Sequence, residues 1–250
     1  MQTDLFGRKN EHSCLKEIDL ILTFGPPYCC MADAIDIKTG IQSGMKACKN
    51  HPIAFIDNEF KKYNHAKHVA AIKEHRPEYA TVRDAVSLRL CIENDIAFYE
   101  LDKLLEMYQE IRPFAGNIIV ISKYKEAMEF FAENCTGKFL FGYPNNTYGR
   151  TTTEKEITVD AYKEYPDIGV HILGGSPASQ KAVAIKFDGQ VKSLDNNYIF
   201  KVAPKGVCIG KEGNLADKIK MPGGMDSIMI PSMAVSICSF RSIFDQKWRN

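Results

Sequence analysis

The sequence predicts a single (β/α)₈ TIM-type barrel. Short apolar runs of β character alternate along the chain with segments of helical spacing, and that order implies parallel strands with helices outside. The chain has 250 residues, and one such barrel usually needs about 250. A doubly wound open sheet is the alternative, but no Gly-x-Gly-x-x-Gly follows the first predicted strand, so the dinucleotide-binding version of that sheet loses support.

Four strands are predicted in the first half of the chain. Their bounds are Asp19–Phe24, Pro52–Ile56, Glu78–Val82 and Ile96–Tyr99. The first ends at a Gly-Pro-Pro turn, the second ends at Asp57, the third ends close to Asp84, and the fourth is the weakest. Between the second and the third, apolar residues from Tyr63 to Ile72 recur near the helical period, which predicts an amphipathic helix.

Four more strands and three helices are predicted after Tyr99. The strands are Asn117–Ser122, Lys138–Phe141, Gly169–Leu173 and Gln190–Leu194. Helices are predicted over Leu101–Ile111 and Lys125–Asn134, where apolar residues again follow the helical period. A third helix is predicted after Ser176, because Ser-Pro is typical of a helix start.

The predicted domain organisation is one barrel over residues 1–250. The polar stretch Asn145–Pro166 is interpreted as an excursion over the mouth of the barrel, with room for a helix. From Pro204 the chain is rich in glycine and lysine and then turns apolar over Met229–Phe244. We expect this C-terminal segment to pack back on the barrel.

Composition favours a cytoplasmic protein without a membrane span. The chain is 45% hydrophobic and 25% charged, as is ordinary for a globular protein. No apolar run approaches the roughly 20 residues that cross a bilayer, and the polar N-terminus lacks the apolar core of a signal peptide. The net charge of +1 gives no overall signature of a nucleic-acid binder.

The cysteines and histidines predict no metal site. The eight cysteines are scattered without a Cys-x-x-Cys, so reduced and mostly buried thiols are expected. His65 and His68 share one face of a predicted helix, but no third ligand stands near them in sequence. That face is interpreted as solvated.

Three aspartates stand at predicted strand ends and form the candidate catalytic group. Asp57, Asp84 and Asp195 follow the second, third and eighth predicted strands. The carboxyl ends of parallel strands meet on the face where barrels hold their active sites. Clustered carboxylates push each other's pKa values apart, so that one stays ionised while another keeps a proton. Aspartates also cap helices and start loops, which is the alternative interpretation of each one alone.

Other polar or flexible residues follow the remaining predicted strands. They are Lys123, Tyr143, Gly174, Gly175, Ser176 and Asn196. All six are candidate substrate-binding residues. In the GGSP turn, Ser176 is expected to cap the following helix, and the glycines would let a ligand approach bare backbone.

Three segments together resemble the tRNA-guanine transglycosylase superfamily. PIAFIDNEF is similar to its strand-two segment, VHILGGSP to its strand-seven glycine turn, and VKSLDNN to the segment that carries its nucleophilic aspartate. The chain looks most like the short phage and bacterial branch of DpdA-like proteins, which put 7-deazaguanines into DNA. The matching segments cover about a fifth of the chain.

The resemblance implies roles for the three aspartates. Asp195 would attack the anomeric carbon of a guanosine and form a covalent sugar–enzyme intermediate. Asp57 would be the general acid/base, and Asp84 would hydrogen-bond the edge of the base. The target nucleotide would have to leave the helical stack to reach such a pocket. The implied partners are DNA or possibly tRNA and a free 7-deazaguanine base such as preQ0, with no redox cofactor.

The sequence departs from that superfamily in two places. Asp57 is followed by Asn-Glu-Phe, where the superfamily has Ser-Gly-Gly. After Asp195 only Cys208 and Cys238 follow, so the superfamily's zinc site is not expected. A shorter chain without an appended RNA-binding domain favours DNA over tRNA as substrate, and the oligomeric state is left open.

Two other functions stay open from the residues alone. One is a barrel hydrolase or lyase acting on a small phosphorylated molecule, with GGSP as the phosphate cradle. The other is a non-catalytic barrel that binds nucleic acid or scaffolds a complex.

Overall fold

Eight parallel strands close into a barrel in the computed structural model of the protein. In chain order they are β1 Asp19–Thr23, β2 Lys38–Gln42, β3 Phe55–Asp57, β4 Tyr79–Thr81, β5 Asn117–Val120, β6 Phe139–Pro144, β7 Gly169–Leu173 and β8 Val191–Asn196. Strand β1 pairs in parallel with both β2 and β8, and this pairing closes the ring. The predicted (β/α)₈ fold class is confirmed.

Helices follow the strands from β3 onward. They are α1 His65–His75, α2 Leu88–Asn94, α3 Leu101–Ile111, α4 Lys125–Asn134, α5 Val159–Lys163, α6 Pro177–Lys186, α7 Tyr198–Val202 and α8 Met225–Phe244. The structure describes residues 15, 17–23, 36–47, 51–145, 153–205, 207–210, 215–218 and 225–244. No helix in these ranges combines the length and the apolar character needed to cross a membrane.

The sequence missed one strand and predicted one that is not formed, so the predicted number of eight barrel strands is still correct. Lys38–Gln42 is a strand that the sequence did not suggest, whereas Ile96–Tyr99 is not a strand. The segment KTGIQ has a glycine at its centre and lacks the β-branched or aromatic run that marks a strand. Ile96 and Phe98 instead pack beside Val86 and Leu90 in a small cluster outside the barrel core. Asp57 therefore ends the third strand, not the second.

The barrel has two apolar surfaces, as the period of two along each strand dictates. Outward side chains such as Leu20, Ile56 and Phe141 pack in the main core, which also takes in the helices. A second, smaller cluster is formed by inward side chains and fills the lumen. Its members are Ile21, Phe55, Tyr79, Ile119, Ile121 and Leu140, with Leu173 packed against them.

The lumen is so tightly filled that two strands carry glycine there. A Cβ at Gly40 would lie 2.8 Å from Phe55. A Cβ at Gly142 would lie 2.7 Å from Ile121 and 2.9 Å from Leu173. The central glycine that hid β2 from the sequence pattern is therefore required by packing.

Gly142→Ala is expected to destabilise the protein by about 1–3 kcal/mol, because overpacking a filled core displaces its neighbours. Urea unfolding of the variant and the wild type would measure the difference in free energy. An unchanged unfolding midpoint would contradict a filled lumen at this level.

The C-terminal segment lies against the outside of the barrel. Strands β9 Val207–Ile209 and β10 Leu215–Lys218 pair antiparallel. Helix α8 contacts β9 and helices α6 and α7. The side chains of Met233, Ile237 and Phe240 on this helix are buried.

Candidate active site

A cavity of about 740 Å³ opens at the carboxyl ends of the strands. It is lined by side chains from the ends of β3, β6, β7 and β8 and from the loops after β4 and β5. Six of the predicted site residues lie on its wall: Asp57, Asp84, Lys123, Gly174, Gly175 and Asp195. The structure thus brings the three aspartates together at one cavity.

Asp195 lies on β8 with its carboxylate directed into the top of the lumen. Only 5% of the residue is exposed. The Thr23 hydroxyl donates to Oδ2 over 3.3 Å, and the Gly174 amide donates to Oδ1 over 3.3 Å. Nε2 of His171 lies 3.5 Å from Oδ1. The two hydrogen bonds hold the carboxylate in place, and the histidine ring lies against it.

The backbone of Asp195 is held from the helix layer. Nε2 of Gln180 on α6 donates to the Asp195 carbonyl over 2.6 Å. Nδ2 of Asn196 donates to Oε1 of Gln180 over 2.8 Å, and Oδ1 of Asn196 accepts from the amide of Tyr198 at the start of α7. Asn196 is fully buried. It therefore supports Asp195 structurally and does not line the cavity, which corrects its predicted role as a substrate contact.

Asp57, the last residue of β3, holds its proton more tightly than an ordinary aspartate. Burial is the main reason that its pKa is raised well above the usual value, and the charges of Asp195 and Asp84 raise it further. The Thr81 hydroxyl donates to Oδ1 of Asp57 over 3.3 Å and opposes this rise only in part. Asp57 and Asp195 therefore have the unequal environments that a proton donor and an ionised partner require.

Asn58 connects Asp57 to Asp84 and was missed by sequence reasoning. Its Nδ2 lies 3.1 Å from Asp84 Oδ1, 3.1 Å from Thr81 Oγ1 and 2.9 Å from the carbonyl of Val82. Asn58 lines the cavity, and its Oδ1 has no hydrogen-bond partner among the described residues. Its place directly after a strand-end aspartate was the signal that could have identified it.

Asp84 and Lys123 form a buried ion pair on the cavity wall. Lys123 Nζ lies 3.2 Å from Oδ2 of Asp84, and the two side chains are only 10% and 7% exposed. The ammonium group also lies 5.5 Å from the centre of the Phe60 ring. Oδ2 of Asp84 faces Lys123 and Oδ1 faces Asn58. Because both oxygens have a partner, the carboxylate is held in a fixed orientation.

The glycine turn after β7 forms another part of the wall. Gly174 and Gly175 have φ angles of +65° and +87°, which a side chain rarely allows. A Cβ at Gly175 would also lie 2.6 Å from Nδ2 of Asn145. Ser176 accepts from the amide of Ser179 over 3.2 Å and caps α6 as expected; it is not on the cavity wall.

Tyr143 is placed away from the cavity, which corrects its predicted role. Strand β6 runs past the predicted end at Phe141, and Tyr143 lies on its outward face. The ring packs edge-on against Tyr162 and Phe187 at centroid distances of 5.4 and 5.3 Å. It belongs to the core between the barrel and its helices.

His68 was expected on a solvated helix face, but it is 1% exposed. Its Nε2 lies 2.6 Å from the Thr81 carbonyl, and its Nδ1 lies 2.9 Å from the Ser43 hydroxyl. The amide of Ser43 donates to the Asp57 carbonyl over 3.0 Å. Burial lowers the pKa of His68 to about 4, so a neutral His68 joins the backbones at the ends of β3 and β4.

Acidification is expected to weaken the fold through His68. Unfolded His68 takes up a proton near its ordinary pKa of 6.5, whereas folded His68 does so only near 4. Protonation of His68 therefore costs the fold nothing above pH 6.5 and lowers the free energy of unfolding as pH falls toward 4. Between pH 7.5 and 4.5 we expect a loss of about 2–3 kcal/mol. Urea unfolding at these two pH values should show a smaller pH dependence in His68→Gln. The control His75→Gln, on the same helix, should keep the wild-type dependence, and equal slopes in all three proteins would contradict the assignment.

Arg83 supports the wall from behind. It is 2% exposed, donates to the carbonyl of Phe60, and lies over the rings of Phe60, Tyr63 and Tyr99 at 4.7, 5.3 and 5.9 Å. Contacts of this kind hold the Phe60 ring at the cavity.

No group of three or more His, Cys, Asp or Glu side chains placed to hold a metal ion occurs in the part of the chain that the structure describes. The charged groups on the cavity wall are aspartate carboxylates and the ammonium groups of Lys123 and Lys201.

Comparison with known proteins gives a family but no activity. The model of a family described as a "Family of unknown function (DUF6610)" matches residues 36–226, a range that holds Asp57, Asp84 and Asp195. A search of curated proteins found no match.

Proposed function

The chain belongs to the DUF6610 family, and we propose that it is a guanine transglycosylase that exchanges guanine in DNA for a 7-deazaguanine base. The observation that carries the proposal is the unequal pair of carboxylates in one cavity. Burial and neighbouring charge raise the pKa of Asp57, while the Thr23 hydroxyl and the Gly174 amide donate to the carboxylate of Asp195 and His171 lies beside it.

The proposed reaction is a double displacement at the anomeric carbon. Asp195 attacks C1′ of the target nucleoside as the bond from C1′ to the base N9 breaks. The electron pair of that bond goes to the guanine, which takes the proton of Asp57. The products of this step are a sugar ester on Asp195, free guanine and ionised Asp57. The step combines nucleophilic and general acid catalysis in one pair of residues.

The second displacement restores the enzyme. The incoming base gives its N9 proton to Asp57 as N9 attacks C1′. The ester bond from C1′ to Asp195 breaks in the same step, and its electron pair returns to the Asp195 carboxylate. Each residue ends in the protonation state in which it began.

The cavity supports a base and its sugar as the substrate. Its volume of about 740 Å³ lies within the usual range of about 300–1,000 Å³ for small-molecule sites. The ring of Phe60 and the bare backbone at Gly174 offer flat surfaces, while Asn58 Oδ1 and the Asp84 carboxylate offer acceptors at the wall. Lys201, an exposed residue of α7 on the rim, is available to a phosphate. The choice of DNA over tRNA rests on the sequence resemblance.

The phosphate-cradle alternative has weaker support. The amide of Gly174 donates to Asp195, and the amide of Ser179 donates to the capping Ser176. Two amides that a phosphate would need at this turn are thus engaged. Burying carboxylates costs stability. A non-catalytic barrel would gain nothing in return for placing Asp57, Asp84 and Asp195 together.

Nucleoside mass spectrometry tests the proposal directly. Duplex DNA and a free 7-deazaguanine base such as preQ0 are incubated with the protein, and the digested DNA is analysed for the deazaguanine nucleoside. We expect the modified nucleoside together with release of guanine. DNA that never acquires the new base, across duplex and single-stranded substrates, would overturn the proposal.

A further inference from the structure

His171 is a fully buried histidine in the lumen beneath the candidate active site. It lies on β7, two residues before Leu173, and its ring stacks on Phe55 with a centroid distance of 5.1 Å. The residue is 0% exposed. Its polar neighbours among the described residues are Ser193, which lies 2.8 Å from Nδ1, and Asp195.

The hydrogen-bond inventory decides which ring nitrogen carries the proton. Nε2 lies 3.5 Å from Oδ1 of Asp195 and has no hydrogen-bond partner among the described residues. If Nδ1 carried the proton, Nε2 would turn a lone pair toward a carboxylate oxygen inside the barrel. Two facing acceptors in an apolar lumen are unfavourable. If Nε2 carries the proton, a donor rather than a lone pair stands 3.5 Å from Oδ1, and the Ser193 hydroxyl donates to Nδ1.

We propose that His171 is a positioning residue for Asp195, acting through an Nε2–H directed at Oδ1 and held in that tautomer by Ser193. The proposal rests on the proposed function for its catalytic consequence. Oδ1 is approached by His171 from below and by the Gly174 amide from the turn, and Oδ2 is approached by the Thr23 hydroxyl. The carboxylate is thereby fixed in rotation before a substrate arrives.

Packing alone does not explain a histidine at this position. The lumen around it is built from apolar side chains, Phe55 among them, and an apolar residue would fill the space without burying two ring nitrogens. The polar chain from Ser193 through His171 ends at the one carboxylate that is assigned as nucleophile. Alignment of a nucleophile affects the rate of the reaction more than the binding of the substrate.

Two substitutions separate positioning from packing. His171→Gln keeps an amide donor close to the place of Nε2, whereas His171→Leu fills the lumen without a donor. We expect His171→Gln to form the covalent DNA adduct within about 5-fold of the wild-type rate, and His171→Leu to be about 30–100-fold slower. The dissociation constant for DNA, measured by fluorescence anisotropy, should be the same in both. Ser193→Ala, which removes only the hydroxyl that sets the tautomer, should be slowed about 3–10-fold.

A spectroscopic measurement tests the contact without any activity. ¹⁵N NMR of labelled protein distinguishes a protonated from an unprotonated ring nitrogen, and His171→Gln assigns the signals. We expect the proton on Nε2 in the wild type and a clear shift of the Nε2 signal in Asp195→Asn. A proton on Nδ1, or an Nε2 signal that Asp195→Asn leaves unchanged, would overturn the inference.

The exchange assay and the NMR measurement distinguish failure of the positioning role from failure of the proposed function. Base exchange that His171→Leu leaves at the wild-type rate overturns the positioning role while the proposed function stands. Absence of exchange in the wild type overturns the proposed function, and the NMR result then decides alone whether His171 holds Asp195. If His171→Leu does not fold, His171→Gln, Ser193→Ala and the NMR measurement still decide.

Discussion

Asp195→Asn is expected to abolish the covalent adduct with DNA and to lower the rate of base exchange by roughly 10⁴-fold or more, as removal of a nucleophile does in other enzymes. The asparagine has the same shape, and its amide oxygen can still accept from the Thr23 hydroxyl or the Gly174 amide, which now lie 3.3 Å from the carboxylate. It cannot, however, supply the negative oxygen that attacks C1′. We therefore expect loss of activity without loss of the fold.

Denaturing electrophoresis of protein with labelled DNA detects the adduct, and nucleoside mass spectrometry measures the exchange. Asp160→Asn is a matched control, because Asp160 is an exposed aspartate on the outer helix α5. It should behave as the wild type in both assays, and thermal unfolding should show that both variants are folded. Exchange that persists in Asp195→Asn at the wild-type rate would show that another residue is the nucleophile.

Asp57→Asn is expected to lower base exchange by about 10²–10⁴-fold, since it removes the proposed general acid/base. It should also stabilise the protein at pH 8. Folded Asp57 has a raised pKa, so the folded state binds its proton more tightly than the unfolded state, and stability falls as pH rises above the ordinary aspartate pKa. An asparagine removes that loss.

Thermal unfolding between pH 4 and pH 8 measures this effect. The midpoint of Asp57→Asn should exceed that of the wild type at pH 8, by about 2–4 °C for each kcal/mol gained. The difference should shrink toward pH 4, and Asp160→Asn should show no such trend. A variant that is less stable than the wild type at pH 8 would mean that the charged form of Asp57 is favoured in the fold.

The sequence predicted the part of the site that depends on strand ends. Asp57, Asp84, Lys123 and Asp195 lie at or close to the carboxyl ends of strands whose apolar runs are plain in the sequence, and parallel pairing brings such ends together. Closure of the barrel depends on pairings between distant segments, which is why β2 was missed despite its place in the ring.

The remaining errors come from strand boundaries and faces. Tyr143 was placed after a strand that in fact continues through it, and the period of two then turns its ring outward. His171 and Ser193 lie inside predicted strands, where a buried polar residue has no distinctive pattern. Only their facing positions on β7 and β8 show that they are part of a polar chain under Asp195.

Polar side chains at the top of the lumen, just below the cavity, constrain which parts of the sequence can vary. The groups that fix the carboxylates come from the strands themselves: Thr23, Thr81 and His171 are all buried beneath the cavity. The outer wall, in contrast, comes from connections such as the one that carries Asn94 and Ile96. Insertions and replacements are tolerated in connections and not in strands. Under the proposed function, the groups that hold the reacting carboxylates and the wall that would select the substrate thus lie in separate parts of the chain, so that one can change while the other is preserved.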